Sequence, residues 1–399
     1  MRAIHYRKAK RVEEEKMKTW IKILALLTAA AIAFGLTGCR PNRALSDEEK
    51  DRIQTRFQAC IDDRGVSAAV YAVYRDEVIF DGGGGMASDT LENGSDVAYG
   101  VASLSKQVTA AAVMQLYEDG LLDITDPIGK YFTDYRYGDK ISITQLLSQR
   151  SGIPDYMVNS AKGKVVISVD QGGKNYVLVD TDNTAEENQK IIRDFFLSRE
   201  LLFEPGTAFD YSDSNYALLA QIVSQVSGMS YHDYVRKNIF EPLGMEQTDF
   251  IDDYDHEKIT KVAKTDRTEF SMDYYTVKGA EYGCGDVLTT PQDWYRWYRG
   301  LTDGAVVGKA AYELMTTNYS VWDELGYGFG LMISDESESK TVYHYGFLPS
   351  YYSAAIYIPE YDYFEVVSAN HADGNPQKLA SDLAKYFGSV IDLELVGIE

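Results

Sequence analysis

Apolar residues follow a strand period near both ends of this chain and a helical period between them. Residues 46–49 have the capping-box spacing Ser-x-x-Glu and predict a helix that runs to about residue 63. Strand patterns follow over residues 67–74 and 77–80, and a run of glycines at 82–85 predicts a loop. Near the other end, strands are predicted over residues 328–333, 341–345, 352–358 and 363–369, before a last helix over 376–387.

The middle of the chain is mostly helical. Helical spacing recurs over residues 107–118, 144–149, 185–197, 215–226, 231–240 and 291–301. Two short strand patterns, at residues 165–169 and 176–179, interrupt it and predict a surface hairpin. Strands from both ends can join in one sheet with the first and last helices on one face, so we expect one α/β domain that carries a helical insertion.

The first 39 residues predict an export signal that is not part of the fold. A basic segment at residues 18–22 precedes the apolar run 23–34, and small residues then lead to Cys39. Leu-Thr-Gly-Cys at residues 36–39 resembles the lipobox of bacterial lipoproteins, which implies that Cys39 is lipidated and that residues 40–45 are a tether. The alternative is a free signal peptide with a chance cysteine. The apolar run is shorter than the roughly 20 residues that span a bilayer.

Charge argues against two classes of partner. The chain has 39 Lys and Arg against 61 Asp and Glu. Residues 1–38 hold 8 of the former and 3 of the latter, so the net charge without them is −27. Nucleic acid and anionic membrane surfaces are therefore not expected partners. Residues 1–16 are long and charged for a leader, which leaves Met1 and Met17 as alternative starts.

Cysteine and histidine form no readable metal site. Beyond Cys39 the chain has Cys60 and Cys284, and its five histidines are scattered. Neither a disulfide framework nor a metal-ligand spacing results. We expect no metal and no cofactor.

One segment combines residues that can perform nucleophilic catalysis. In Tyr-Gly-Val-Ala-Ser-Leu-Ser-Lys, Ser103 stands at the start of a helical pattern and Lys106 lies on the same helix face. A helix N-terminus favours a developing oxyanion, and a nearby base can activate a serine hydroxyl. A second Ser-x-x-Lys, at residues 337–340, has no helix behind it, so the context selects Ser103.

Two further segments are ambiguous by themselves. Tyr211 and Asp213 lie between a Pro-Gly turn and an amphipathic helix, but a buried tyrosine is usually a core residue whose hydroxyl is satisfied. His344 and Gly346 lie on a strand pattern, where a single histidine is more often structural than catalytic. Neither segment alone predicts an activity.

Taken in order, the three segments resemble the serine β-lactamase and penicillin-binding superfamily, in the branch of class C β-lactamases, D,D-peptidases and related esterases. The segments 143–154, 211–228 and 241–245 strengthen a resemblance that covers roughly residues 46–390. It implies an α/β fold whose antiparallel sheet is flanked by the N- and C-terminal helices. The α/β lobe is expected at about 46–100 and 320–390, the mostly helical insertion at about 101–319, and a tail at 391–399.

The resemblance also implies residue roles. Ser103 corresponds to the acylated nucleophile and Lys106 to its basic partner. Tyr211 matches a tyrosine that shuttles the proton. The oxyanion hole would pair the backbone N–H groups of Ser103 and Phe347, and each such donor is typically worth ~10²–10³ in rate.

Two positions depart from the pattern of many relatives. The first is His344-Tyr-Gly346, which stands where many relatives have Lys-Thr-Gly. His-x-Gly is a form found in esterase-like and peptidase-like members, and it lacks the lysine that binds the β-lactam carboxylate in class C enzymes.

The second is Asp213, which replaces Asn. At ~4 Å its attraction for Lys106 would be about 4 kcal/mol at an effective dielectric constant near 20. That would keep Lys106 as ammonium and move proton transfer toward Tyr211, although the same charge opposes a tyrosinate. The alternative is that Asp213 accepts a hydrogen bond as Asn would.

These features predict a membrane-anchored, exported serine hydrolase that works through an acyl-enzyme. The substrates expected first are D-amino-acid peptides of the cell wall, cleaved in the manner of a D,D-carboxypeptidase or D-aminopeptidase. Small esters or amides come next, and β-lactams last. The alternative is a penicillin-binding or sensor lipoprotein that is acylated but turns over slowly.

Overall fold

A computed structural model describes residues 44–161, 164–169, 176–178, 182–264, 277–322, 325–335, 339–348, 351–371, 373 and 375–391. Asp47–Glu399 forms one compact unit, and a separate unit, residues 1–46, is described from residue 44 onward. The predicted signal, Cys39, most of the tether and residues 392–399 of the tail lie outside the described residues. Within the described ranges, no helix is long and apolar enough to cross a membrane.

Helices form in most of the segments where helical spacing predicts them. They are α1 (Asp47–Arg64), α2 (Ser105–Glu118), α3 (Ile143–Leu147), α4 (Ala185–Leu197), α5 (Asp213–Ser227), α6 (Tyr231–Val235), α7 (Pro291–Thr302), α8 (Lys309–Met315) and α9 (Pro376–Val390). The pattern at residues 231–240 divides into α6 and a π-helical turn, Arg236–Phe240. The sequence does not predict α8, because seven residues that bury only Ala311 and Met315 give little periodic signal.

The strands form one large sheet and two small ones. They are β1 (Ala68–Tyr74), β2 (Glu77–Gly84), β3 (Tyr99–Gly100), β4 (Tyr156–Ala161), β5 (Lys164–Val169), β6 (Tyr176–Leu178), β7 (Asp249–Phe250), β8 (Val287–Thr289), β9 (Ser320–Trp322), β10 (Leu325–Tyr327), β11 (Met332–Ser334), β12 (Thr341–Leu348), β13 (Tyr351–Ile358) and β14 (Tyr363–Ala369). In the described chain the large sheet has the order β2-β1-β14-β13-β12-β11-β10-β9, with every pair antiparallel. The small sheets are β3-β8-β7 and β4-β5-β6.

The two ends of the domain meet inside the large sheet, as predicted. β1 pairs with β14 along its whole length. Helices α1 and α9 cover one face of the sheet, where the Phe387 ring stacks on Tyr363 at 4.0 Å between centroids. Helix α7 covers the other face, with Tyr298 stacked on Phe364 at 4.9 Å. The α/β architecture with flanking terminal helices and a mostly helical insertion is therefore confirmed.

Two local predictions are wrong, and glycine explains both. Residues 82–84 continue β2 instead of forming a loop, because a Cβ on Gly83 or Gly84 would collide with β1 or with Ile61 of α1. Residues 328–331 form a turn rather than a strand. Gly330 has a φ of 70°, and a Cβ there would lie 2.6 Å from the carbonyl oxygen of Lys106. The predicted hairpin is confirmed as β5 and β6, with β4 as a third strand.

Strand β12 lies directly against the turn that carries Ser103. Gly346 has no side chain, and a Cβ there would collide with the Val101 carbonyl oxygen and would lie 3.0 Å from Ala102 Cβ. The Ser353 hydroxyl, on the neighbouring strand β13, donates to the same Val101 oxygen at 2.7 Å. A glycine at 346 therefore sets how closely the sheet approaches the nucleophile.

We expect Gly346→Ala to lower the free energy of unfolding by about 1–3 kcal/mol, since overpacking at a fixed contact has that cost. It should also slow acylation of Ser103, because β12 must move away from the turn. Thermal unfolding and labelling by a fluorophosphonate probe measure the two effects. Gly94→Ala is the matched control, since its methyl group would meet only the exposed Asp96 carboxylate, at 3.2 Å. Equal behaviour of the two variants would contradict the close contact.

Candidate active site

The nucleophile stands on a constrained turn at the start of α2. Ala102 has a φ of 52°, a left-handed conformation that costs energy for a residue with a side chain and recurs at functional sites. Residues Ala102–Leu104 form a 3₁₀ turn that leads into α2. The half-buried Ser103 therefore projects from the helix N-terminus, as the sequence predicts. Two residues after Ser103, Ser105 accepts a hydrogen bond from the Val287 N–H at 3.0 Å, which fixes α2 to β8.

Lys106 is fully buried and has three partners. Its Nζ donates to Ser103 Oγ at 3.0 Å and to the Cys284 carbonyl oxygen at 2.8 Å, and it lies 2.6 Å from Asp213 Oδ1. Burial alone would lower the pKa of Lys106, but Asp213, together with the smaller effects of Tyr211, Cys284 and Tyr327, holds that pKa well above its usual range. Lys106 is therefore an ammonium that donates two hydrogen bonds and is ion-paired with Asp213.

Tyr211 lies beside this ammonium. The Lys106 nitrogen is 4.9 Å from the centroid of the Tyr211 ring, a cation–π distance. The Tyr211 hydroxyl is buried and has no hydrogen-bond partner among the described residues. Burial raises the pKa of Tyr211 and the Lys106 charge opposes that rise only in part, so the resting group is a phenol.

The segment that follows α3 positions Tyr211 and Asp213. The Gln149 carbonyl oxygen accepts the Asp210 N–H at 3.0 Å, and the Gln149 side-chain oxygen accepts the Ser212 N–H at 3.1 Å. Asp155 accepts the Asp213 N–H at 2.6 Å through its Oδ1. The loop before α5 is thus hydrogen-bonded on both sides of Tyr211.

His344 closes the site from β12. It is 1% exposed, and its ring lies 6.1 Å from the Tyr211 ring between centroids. Burial and the Lys106 charge lower the pKa of His344 to about 3, although a hydrogen bond to the Tyr345 carbonyl oxygen favours the charged form. His344 is therefore neutral, and since its Nδ1 lies 2.6 Å from that oxygen, Nδ1 carries the proton.

The carboxylate of Asp213, which is paired with Lys106, has two other carboxyl groups near it, those of Glu281 and Asp155. Asp213 and Glu281 place carboxylate oxygens within 4.8 Å of each other and of Cys284 Sγ, and this trio is the group in the described chain that could hold a metal ion. Burial, then Asp213 and Glu281, raise the pKa of the Cys284 thiol, which disfavours the thiolate that a metal needs. Burial and Asp213 likewise raise the pKa of Asp155. The expectation that no metal binds stays a prediction.

The structure brings the predicted motif residues together. Ser103, Lys106, Tyr211 and Asp213 are linked by the contacts above, and His344 and Gly346 line the same place from β12. Phe347 follows Gly346, is 63% exposed and makes an edge-to-face contact with the Tyr352 ring. Its assignment to the oxyanion hole stays a prediction, as does lipidation of Cys39, which lies outside the described residues.

Sequence reasoning missed three groups near Lys106: Asp155, Glu281 and the Cys284 carbonyl. Glu281 and Cys284 lie in Glu-Tyr-Gly-Cys-Gly-Asp, an irregular segment before β8. Gly283 has a φ of 74° there, and a Cβ on it would collide with Ala220 of α5. The signal that could have pointed to this loop is the pair of glycines flanking a cysteine just before a strand pattern.

Comparison with known proteins identifies the family of this chain. The Beta-lactamase family model matches residues 53–385. The chain is 28% identical over 290 residues to penicillin-binding protein PbpX of Bacillus subtilis (strain 168), which covers 72% of this chain and 66% of that protein. Penicillin-binding protein 4* of the same strain is 26% identical over 328 residues, with 77% and 68% covered. The chain thus spans about two thirds of the length of these curated relatives.

A solved structure has the same fold. The octameric penicillin-binding protein homologue from Pyrococcus abyssi superimposes with a TM-score of 0.68 at 25% identity and covers 86% of this chain and 78% of that one. The family match includes Ser103, Lys106, Tyr211 and His344, the residues that the fold assembles into one site. The chain therefore belongs to the Beta-lactamase family and is a serine hydrolase that acts by acyl transfer.

Proposed function

We propose that this protein is an exported lipoprotein that hydrolyses amide bonds in D-amino-acid peptides of the cell wall, with Ser103 as nucleophile. The observation that carries the chemistry is the 3.0 Å hydrogen bond between Lys106 Nζ and Ser103 Oγ at a helix N-terminus. The penicillin-binding names of the relatives support a cell-wall peptide as substrate. Neutral His344 gives a β-lactam carboxylate no cation at the position where class C enzymes have lysine.

Acylation begins with attack of Ser103 Oγ on the substrate carbonyl carbon. In the form of the site that has lost one proton, the Ser103 proton passes to the Tyr211 oxygen, while the Lys106 ammonium stabilises the negative charge that develops on Oγ. The oxyanion is assigned to the N–H groups of Ser103 and Phe347. After the amine leaves with a proton, water attacks the acyl-enzyme and frees Ser103.

The resting protonation state limits this reaction. A Lys106 ammonium and a Tyr211 phenol contain no base, so the reactive form has one proton fewer than the resting form. Since the two groups are in contact, that proton belongs to the pair and not to either residue alone. Activity should therefore rise with pH as the pair loses a proton.

Replacing the nucleophile tests acyl transfer directly. Ser103→Ala should abolish covalent labelling by fluorescent penicillin and by a fluorophosphonate, because the attacking oxygen is absent. Ser337→Ala, in the second Ser-x-x-Lys, should leave labelling unchanged. Gel fluorescence of the full chain measures both, and labelling of the Ser103→Ala protein would refute the assignment.

A chase separates the enzyme from a sensor. If the protein is an enzyme, the fluorescent penicillin label on Ser103 should be lost with time, while activity toward D-Ala-D-Ala peptides returns. Label that persists through the chase would instead identify a slow-turnover penicillin-binding or sensor protein.

Asp213→Asn tests whether the Asp213 carboxylate controls the protonation of Lys106. Without the Asp213 charge, the lowering of the Lys106 pKa by burial meets less opposition, so the ascending limb of the kcat/KM profile should move to lower pH. On that limb, kcat/KM at pH 7 should rise roughly tenfold for each pH unit of displacement. The matched control is Asp303→Asn, which removes an exposed carboxylate paired with Arg299. If both variants keep the wild-type profile, Asp213 acts only as a hydrogen-bond acceptor.

The proposal that the protein is anchored to a membrane is supported by the lipobox-like sequence at residues 36–39. Cys39→Ala should prevent lipidation and release the protein from the membrane fraction, whereas Cys60→Ala should not. Fractionation of cells followed by immunoblotting measures the distribution. Retention of the Cys39→Ala protein in the membrane after carbonate washing would contradict a lipid anchor.

A further inference from the structure

Tyr327 lies beside Tyr211 in the site, although it is outside the segments that carry the predicted site residues. It is the last residue of β10 and is 1% exposed. Its ring meets the Tyr211 ring edge-on, with 6.0 Å between centroids and 86° between planes, and it meets the His344 ring at 6.1 Å and 75°. Since Tyr211 and His344 are also 6.1 Å apart, the three rings form a triangle with nearly equal sides.

The backbone of Tyr327 is fixed by the large sheet. Tyr327 pairs with Ser320 of β9 and with Met332 of β11. The turn that follows β10 then brings Gly330 against the Lys106 carbonyl oxygen. The Tyr327 ring therefore projects from backbone that is held both by the sheet and by contact with α2.

The side chain of Tyr211 has no hydrogen bond to hold it. Gln149 bonds the backbone on either side of Tyr211, which fixes the loop but not the ring. The Tyr211 hydroxyl is buried without a hydrogen-bond partner among the described residues. The position of the phenol therefore depends on packing, and both Tyr327 and His344 pack against its ring. Edge-to-face contacts between aromatic rings are directional, so they favour one orientation of the ring.

We propose that Tyr327 is a positioning residue, whose ring holds the Tyr211 phenol beside Lys106 and so sets the rate of acyl transfer. Tyr327 is too buried to contact the substrate, and no proton passes to it. The proposal rests on the proposed function, in which Tyr211 receives the Ser103 proton. Because that transfer requires the Tyr211 oxygen to lie within hydrogen-bonding reach of the proton, a displaced ring slows it.

Removing the Tyr327 ring tests this role. Tyr327→Leu should lower the rate constant for labelling of Ser103 by a fluorophosphonate about tenfold, a size that the loss of its ring contacts can supply. Tyr327→Phe keeps the ring and should recover most of the wild-type rate. Time courses of gel fluorescence with the full-chain protein measure both. A wild-type rate in Tyr327→Leu, or an equal fall in Tyr327→Phe, would overturn the proposal.

Tyr298→Leu is the matched control for the loss of a buried ring. Tyr298 is 6% exposed and packs on Phe364 and Tyr357, on the face of the sheet that α7 covers. This variant should lower the thermal unfolding temperature but leave the labelling rate at the wild-type value. An equal loss of labelling in Tyr298→Leu would show that lowered stability causes the effect, against the proposal. If Tyr327→Leu does not fold, Tyr327→Met takes its place, because methionine fills irregular gaps.

A double-mutant cycle shows whether Tyr327 acts through Tyr211. Tyr211→Phe keeps the ring but has no hydroxyl to accept the proton. In that background, Tyr327→Leu should change the remaining labelling rate by less than about twofold. If the two substitutions slow labelling independently, so that their effects multiply, Tyr327 acts by another route and the proposal is wrong.

The same assay separates this inference from the function beneath it. If Ser103 is labelled equally fast in the wild type and in Tyr327→Leu, only the positioning role is wrong, and acyl transfer stands. If folded wild-type protein is not labelled at Ser103, the proposed function itself is wrong, and the role of Tyr327 falls with it.

Discussion

The ion pair between Lys106 and Asp213 is the interaction on which the site depends. A fully buried lysine would ordinarily lose its proton, because burial costs an ion several kcal/mol. At 2.6 Å and an effective dielectric constant near 20, the attraction to Asp213 is roughly 6 kcal/mol, which offsets that cost. The pair also joins α2 to the N-terminus of α5. It therefore fixes the position of the helix that follows the nucleophile relative to the loop that carries Tyr211.

Close contacts between backbone segments also hold the residues around this ion pair in place. The turn before Ser103 is left-handed at Ala102, and β12 reaches it only because residue 346 is glycine. Gly330 allows a second turn to lie against the Lys106 carbonyl oxygen. These contacts are made by backbone, which cannot change rotamer, so the reacting groups are held in place before substrate binds.

The sequence predicts those parts of the site that short-range spacing encodes. Ser103 and Lys106 share a helix face, and His344 and Gly346 share a strand, so local patterns suffice for them. The sequence also predicts that Asp213 raises the pKa of Lys106, although the distance between the two groups is shorter than expected. Glu281 could not be predicted, because only the packing of its loop on α5 brings its carboxylate near Asp213. The glycine strand at 82–84 was missed for a related reason: its close contacts are with other elements.

The Asp213 carboxylate also sets when the site can react. In the resting site Asp213 helps to hold the proton on Lys106, and burial holds the proton on Tyr211, so neither group is a base. Ser103 can therefore be activated only after the site loses one proton. Because Lys106 and Tyr211 are in contact, that loss belongs to the pair and not to either residue alone.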